Sequence, residues 1–306
     1  MIFLTVLNQV IILLLLMALG VILTKKNIFT EAGVKSMTDL VLLFVTPCVI
    51  IKSFIREFDP STLKAILISF AAAVAVHILF IAVSLLLCRS KDIARRRVLR
   101  FGIVFTNCGY MSLPLQEAVL GADGVLYGAS FIAIFNLIVW SYGITQMSGN
   151  TKYISPKKLL FNPGIIGLLV GLIIFLCSIP VPQVIAAPIG YLAALNTPLP
   201  MLIIGYHLAH SNLLKALKDT ECLIAVAIRL ILLPLLAIGG LYLCGLRGDL
   251  FVSVVIAACA PTAAITTMFS AKFNQATELS VNMVSLSTVI SLITIPLLVT
   301  FAQTIA

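Results

Sequence analysis

Between Leu159 and Leu214 the chain carries no Asp, Glu, Lys or Arg. So long an uncharged stretch cannot form the surface of a water-soluble domain, but it can supply two consecutive bilayer crossings of about 20 apolar residues each. Only Pro180-Val-Pro182 divides it, which predicts a tight turn between the two crossings. Similar apolar runs, bounded by charge, Gly or Pro, recur ten times: at about residues 2–24, 33–55, 65–88, 97–120, 125–147, 161–179, 184–210, 219–244, 249–271 and 279–303. Charged residues make up only 10% of the chain and mean hydropathy is +1.18, whereas soluble domains carry roughly 25% charged residues. The expected fold is an all-α polytopic membrane protein with ten transmembrane helices in one membrane domain. Residues 1–24 are uncharged, lack the basic flank of a signal peptide, and precede Lys25-Lys26, so they read as a retained first span.

The net charge of +9 reflects topology rather than a nucleic-acid partner, because the cations cluster in short loops between apolar runs. With the first loop in the cytoplasm, fifteen cations fall on that side: Lys25, Lys26, Lys35, Arg89, Lys91, Arg95, Arg96, Arg97, Arg100, Lys152, Lys157, Lys158, Lys215, Lys218 and Lys272. Lys52, Arg56, Lys64 and Arg247 fall outside and Arg229 lies in the membrane, so both termini are expected outside the cytoplasmic membrane. The seven cysteines form no C-x-x-C pair and have no His or carboxylate nearby to complete a ligand set. No metal or cofactor is expected, and the cysteines read as small core residues.

Sliding the chain along itself by 151 positions pairs Gly20 with Gly171, Thr46-Pro47 with Thr197-Pro198, Leu63-Lys64-Ala65 with Leu214-Lys215-Ala216, and Cys108 with Cys259. Residues 1–148 and 161–306 thus read as two five-span repeats joined by a short cytoplasmic linker, 149–160. An odd number of spans inverts the second repeat relative to the first, an arrangement common in secondary transporters.

Within the fourth run, Asn107-Cys-Gly-Tyr-Met-Ser-Leu-Pro114 concentrates residues that interrupt a helix, and Ala257-Ala-Cys-Ala-Pro-Thr262 does the same in the ninth. Proline lacks an N–H and disfavours helical geometry in the residue before it. Pro114 is therefore expected to break the helix at Leu113 and open a second half-helix, with free N–H groups near Ser112 to Leu115. Gly109 lowers the cost of the opening, and Pro261 with Thr262 is expected to mirror it. The first half-helices are expected to end near Asn107 and Ala258, exposing carbonyls suited to a cation or a donor. A lone membrane proline commonly does no more than kink its helix. Here Asn, Gly, Ser and Pro fall together, and the cluster recurs in kind, so the pair reads as a crossed site whose helix N-termini favour an anion.

Phe105-Thr-Asn-Cys-Gly-Tyr-Met-Ser-Leu-Pro-Leu115, followed by Gly121, resembles the fourth-span motif of the auxin efflux carrier family. Ala260-Pro-Thr-Ala-Ala264, Ala271-Lys-Phe-Asn274 and Ser287-Thr-Val-Ile-Ser-Leu-Ile-Thr-Ile-Pro296 are similar to its ninth and tenth spans, and Leu43-Phe-Val-Thr-Pro-Cys48 to its second. The resemblance spans essentially the whole chain. It implies a scaffold of spans 1, 2, 6 and 7, a transport domain of spans 3, 4, 5, 8, 9 and 10, elevator-like movement of the substrate site, and a homodimer formed through the scaffold. Plant PIN-formed members export the auxin anion, whereas bacterial members are linked to malate, malonate and other carboxylates; the short linker resembles the bacterial branch. Asn107 and Pro114 match the fourth-span crossover, and Pro261 lies in the ninth. Where plant carriers have a further proline in the ninth span, this chain has Thr266-Thr267, a departure at the substrate side.

The substrate-binding set read from these motifs is Asn107, Gly109, Tyr110, Ser112, Pro114, Asn136, Pro261, Thr262 and Thr46. Coupling or gating candidates are His77, Glu117, Arg229 and Asn282. A charge at mid-membrane costs about 2.5–3.5 kcal/mol on insertion scales, so Arg229 must face protein or water. It reads either as a counter-charge for substrate or as a side chain bonded to helix-end carbonyls or to a carboxylate. His77 reads as a proton carrier or a core histidine, and Asn136 and Asn282 as site residues or interhelical packing bonds. Glu117 reads as lining the outer approach, carrying a coupling proton, or simply solvated. Gly167-x-x-x-Gly171 predicts close packing of the sixth span on a neighbour.

The expected function is carriage of a small carboxylate, with a proton or sodium as a possible coupling ion. Rival expectations are a sodium-coupled symporter of the bile-acid type and a ligand sensor that does not transport. A membrane enzyme is disfavoured, because His77, His207 and His210 form no metal or hydrolytic motif.

Overall fold

The computed structural model describes residues 2–155 and 161–306. Lys157, Lys158 and the end of the expected linker lie outside the described residues. Among the described residues the chain is helical, with one isolated antiparallel bridge between Thr106 and Thr262. The helices are α1 (Ile2–Lys25), α2 (Glu31–Phe54), α3 (Pro60–Leu87), α4 (Ile93–Val104), α5 (Cys108–Ser148), α6 (Pro163–Leu176), α7 (Gln183–Ala209), α8 (Leu213–Lys218), α9 (Thr220–Leu243), α10 (Gly248–Cys259), α11 (Ile265–Lys272) and α12 (Thr277–Ile305).

Seven described helices (α1, α2, α3, α5, α7, α9 and α12) are long and apolar enough to cross a membrane, and α6 and α10 are shorter apolar helices. The longest, α5, runs for 41 residues, but Gly121 interrupts it with φ 65° and ψ −148°. A straight helix would hold residues 116 and 128 about 18 Å apart. Instead Gly128 lies against the Gln116 side chain and Gly124 against the Gln116 carbonyl, so the chain doubles back at Gly121. A side chain at that φ would be strained, which makes glycine the residue for this turn.

Loop residues start the helices by occupying backbone donors that would otherwise be unpaired. The side chains of Thr30, Asp59, Asp92, Asn162, Asn212 and Asp219 accept from the N–H groups of Gly33, Thr62, Ala94, Gly164, Lys215 and Cys222 respectively. Inside the spans, prolines are accommodated differently. π-helical turns at Val41–Val45, Cys108–Ser112 and Ile228–Leu232 each stop just short of a proline: Pro47, Pro114 and Pro234. Widening the turn relieves the clash between the proline ring and the preceding carbonyl, so the helix passes through.

Backbones approach most closely where glycines face each other. Gly20 of α1 lies against the Leu202 carbonyl, and Gly205 of α7 against the Met17 carbonyl. Gly167 and Gly171 of α6 pack on Pro47 and Phe54 of α2, at 2.9 Å from where a Cβ would sit in each case. The close packing predicted from Gly167-x-x-x-Gly171 is therefore present. Around this interior, Leu15, Leu67, Ile78, Leu86, Ile173 and Ile293 are exposed, as lipid-facing side chains are.

Candidate functional site

The interruptions of the fourth and ninth runs meet inside the protein. α4 ends at Val104 and α10 at Cys259, and the extended segments that follow pair with each other. The Asn107 N–H donates to the Pro261 carbonyl at 2.7 Å, and the Ala263 N–H to the Phe105 carbonyl at 2.9 Å. Unpaired backbone is not tolerated at membrane depth, and here each break supplies the partners the other lacks. The chain re-enters helix at Cys108 in α5 and at Ile265 in α11, so two helix N-termini lie beside the bridge and the helices run away from it.

The positions of the breaks correct the expectation. Leu113 is helical (φ −57°, ψ −47°) and α5 runs through Pro114; the interruption falls earlier, at 105–107, because the π-turn absorbs the proline. The N–H groups left free at the start of α5 therefore lie near Cys108 to Tyr110 rather than Ser112 to Leu115. Likewise Pro261 and Thr262 belong to the extended link rather than to a helix start.

Asn107 is 5% exposed, and among the described residues its carboxamide takes no hydrogen bond. Gly109 and Tyr110 are half-buried beside it. The Gly109 carbonyl accepts from the Asn196 amide at 3.2 Å. Thr46 is buried, with its hydroxyl unpartnered. Ser112 and Thr262 are already engaged: Ser112 donates to the Ile256 carbonyl at 3.4 Å, and Thr262 donates its hydroxyl to the Gly102 carbonyl at 3.1 Å and its N–H to Ser287 Oγ at 3.2 Å. Pro114 and Pro261 are buried in the packing around the crossing. Asn136 donates back to the Ile132 carbonyl at 3.0 Å and lies against Gly164 of α6; among the described residues no hydrogen bond links it to Asn107.

The gating candidates each take separate hydrogen-bond partners, or none. Arg229 is fully buried and donates to the carbonyls of Ala260 (3.1 Å), Ile103 (3.1 Å) and Ala258, with Phe80 4.7 Å beneath its guanidinium. It is bonded to helix-end carbonyls, one of the two arrangements expected for it. His77 is fully buried, with Nδ1 2.7 Å from the Ala73 carbonyl and the Phe131 ring 4.9 Å away, tilted by 38°. Asn282 accepts from the Asn212 N–H at 3.2 Å, which ties α12 to the start of α8. Glu117 is exposed.

Two polar residues that the sequence reading passed over bond the helices that form the crossing. Gln116, fully buried, donates to the Ser253 carbonyl at 2.9 Å and to its hydroxyl at 3.0 Å, joining α5 to α10. Asn196 is 5% exposed in the turn that interrupts α7 and keeps an unpartnered carbonyl oxygen. One signal was available for it: Asn196 directly precedes Thr197-Pro198, the repeat partner of Thr46-Pro47.

The family model described as "Membrane transport protein" matches residues 5–299. An "Uncharacterized transporter" of Methanothermobacter thermautotrophicus (strain Delta H) is 24% identical over 301 residues, covering 97% of this chain and 98% of that protein. With interrupted helices paired in its interior and a family match along nearly its full length, the chain belongs to the membrane transport protein family, the auxin efflux carrier group its motifs resemble, and is a multi-pass membrane transporter.

Proposed function

We propose that the protein is a secondary transporter of small organic anions, mono- or dicarboxylates of the auxin or malate and malonate kind, working by elevator-type alternating access. The paired breaks carry this reading. They place two helix N-termini, the unpartnered Asn107 carboxamide and a half-buried tyrosine around one point, and helix N-termini attract anions.

The ten-span inverted repeat is supported by the doubling back of α5 at Gly121 and by the exchange of packing partners. α1 packs on α7 through Gly20, and α6 on α2 through Gly171, the repeat partner of Gly20. On this reading spans 1, 2, 6 and 7 form a scaffold, which also carries the homodimer, and the other six form the moving domain. Exterior termini rest on the cation bias of the loops; the sorting of loops into two sides is supported by the ion pairs, which join only loops assigned to the same side. Arg95 pairs with Asp219 and Glu221, each at 2.7 Å, and Lys215 with Glu278 at 2.6 Å on the cytoplasmic side; Arg56 pairs with Asp123 at 2.6 Å outside.

Asn107→Ala tests the site. A hydrogen bond to a charged group contributes about 1.5–3 kcal/mol, so carboxylate flux into proteoliposomes is expected to fall by about 10–100-fold with folding unchanged. Wild-type flux from the alanine variant would refute the site. Replacing sodium by choline is expected to leave wild-type flux unchanged; a loss would favour the sodium-coupled alternative, and binding without counterflow would favour a sensor.

A further inference from the structure

The Arg229 guanidinium sits where the C-terminal ends of both broken helices converge. Its three acceptors are the carbonyl of Ile103 in the last turn of α4 and those of Ala258 and Ala260 at the end of α10. Among the described residues no carboxylate pairs with it. Helix C-termini each carry about half a negative charge, so two together amount to roughly the one charge that a guanidinium neutralises. In transporters built from broken helices, such half-helix ends are where coordinated cations sit. We propose that Arg229 is a resident cation: its guanidinium permanently fills a cation site formed by the Ile103, Ala258 and Ala260 carbonyls, so the crossover holds its shape without a bound metal ion.

This inference rests on the transporter reading for its consequence, which is flux independent of sodium and potassium; the cation site itself is independent of that reading. The side chain comes from α9 while the carbonyls come from α4 and α10, so Arg229 ties three helices at the crossing. Arg229 is therefore a positioning residue, not a counter-charge that meets substrate.

The test is truncation followed by chemical replacement. Purified Arg229→Ala is melted in detergent with millimolar guanidinium, sodium or choline chloride. A saturable rise in the midpoint of about 3 °C or more with guanidinium or sodium, absent with choline and absent in wild type, is expected for a site that stabilises only when filled. A folded alanine variant indifferent to both cations would overturn the proposal. Should that variant fail to fold, Arg229→Lys and Arg229→Met are compared in proteoliposomes. Lysine keeping flux within about tenfold of wild type, where methionine loses about 100-fold or more, supports a need for charge; equal losses overturn it. The melting readout involves no substrate, so a wild type that moves no carboxylate would refute the transport reading while the melts still decide the cation site.

Discussion

Gly205→Val is expected to abolish accumulation of folded protein, and Gly205→Ala to lower the thermal midpoint by on the order of 10 °C. A Cβ at this position would overlap the Met17 carbonyl, 2.8 Å from Gly20 Cα and 2.9 Å from the Val21 nitrogen. All three obstacles are backbone, so no rotamer change relieves them and the only escape is separation of α1 from α7. Close backbone approach of this kind is what small residues provide in membranes, where lipid is as apolar as the side chains and packing must supply the association energy. Gly239→Ala is the control: a Cβ there meets nothing within 4 Å, and the midpoint should not fall. Fluorescence-detected size exclusion and a thermal melt would read both. A Gly205→Val protein as stable as wild type would mean that α1 and α7 do not meet in this way.

The same contact shows what can be read from such a chain before its fold is known. Lipid imposes long apolar runs, so the helical, multi-pass class was legible, and the loop cations sort into two groups that the ion pairs of Arg95 and Arg56 respect. Gly167 and Gly171 were legible as a packing face because their spacing is one helical turn. The crossing was found, but its register was not. In the sequence Pro114 reads as the break, whereas a π-turn, which has no sequence signature, carries the helix past it. The destination of Arg229 was open for a related reason: its partners are carbonyls, which every residue possesses, and only the ends of α4 and α10 leave them free. Asn196 escaped notice because it lies in an uncharged run that read as a continuous span, while the structure turns there and brings it to Gly109.

Ala263→Pro is expected to reduce transport by about 10–100-fold while leaving the protein folded and membrane-inserted. The substitution removes the N–H that bonds the Phe105 carbonyl at 2.9 Å. Phe105 is fully buried, so its carbonyl loses its partner with no water to replace it, at a cost of about 1–3 kcal/mol. The strain is local, because Ala263 lies in the extended link and not in α10 or α11, so the helices themselves keep their hydrogen bonds. What fails is the coupling between the two breaks: with one bridge bond gone, α5 and α11 no longer start from fixed points, and their N-termini lose a common target. Ala263→Gly keeps the N–H and should transport within a few-fold of wild type, which separates loss of the bond from loss of the methyl. The decisive measurement is carboxylate flux in proteoliposomes matched for protein content. Equal flux from the proline and glycine variants would show that the pairing of the two segments contributes nothing to transport.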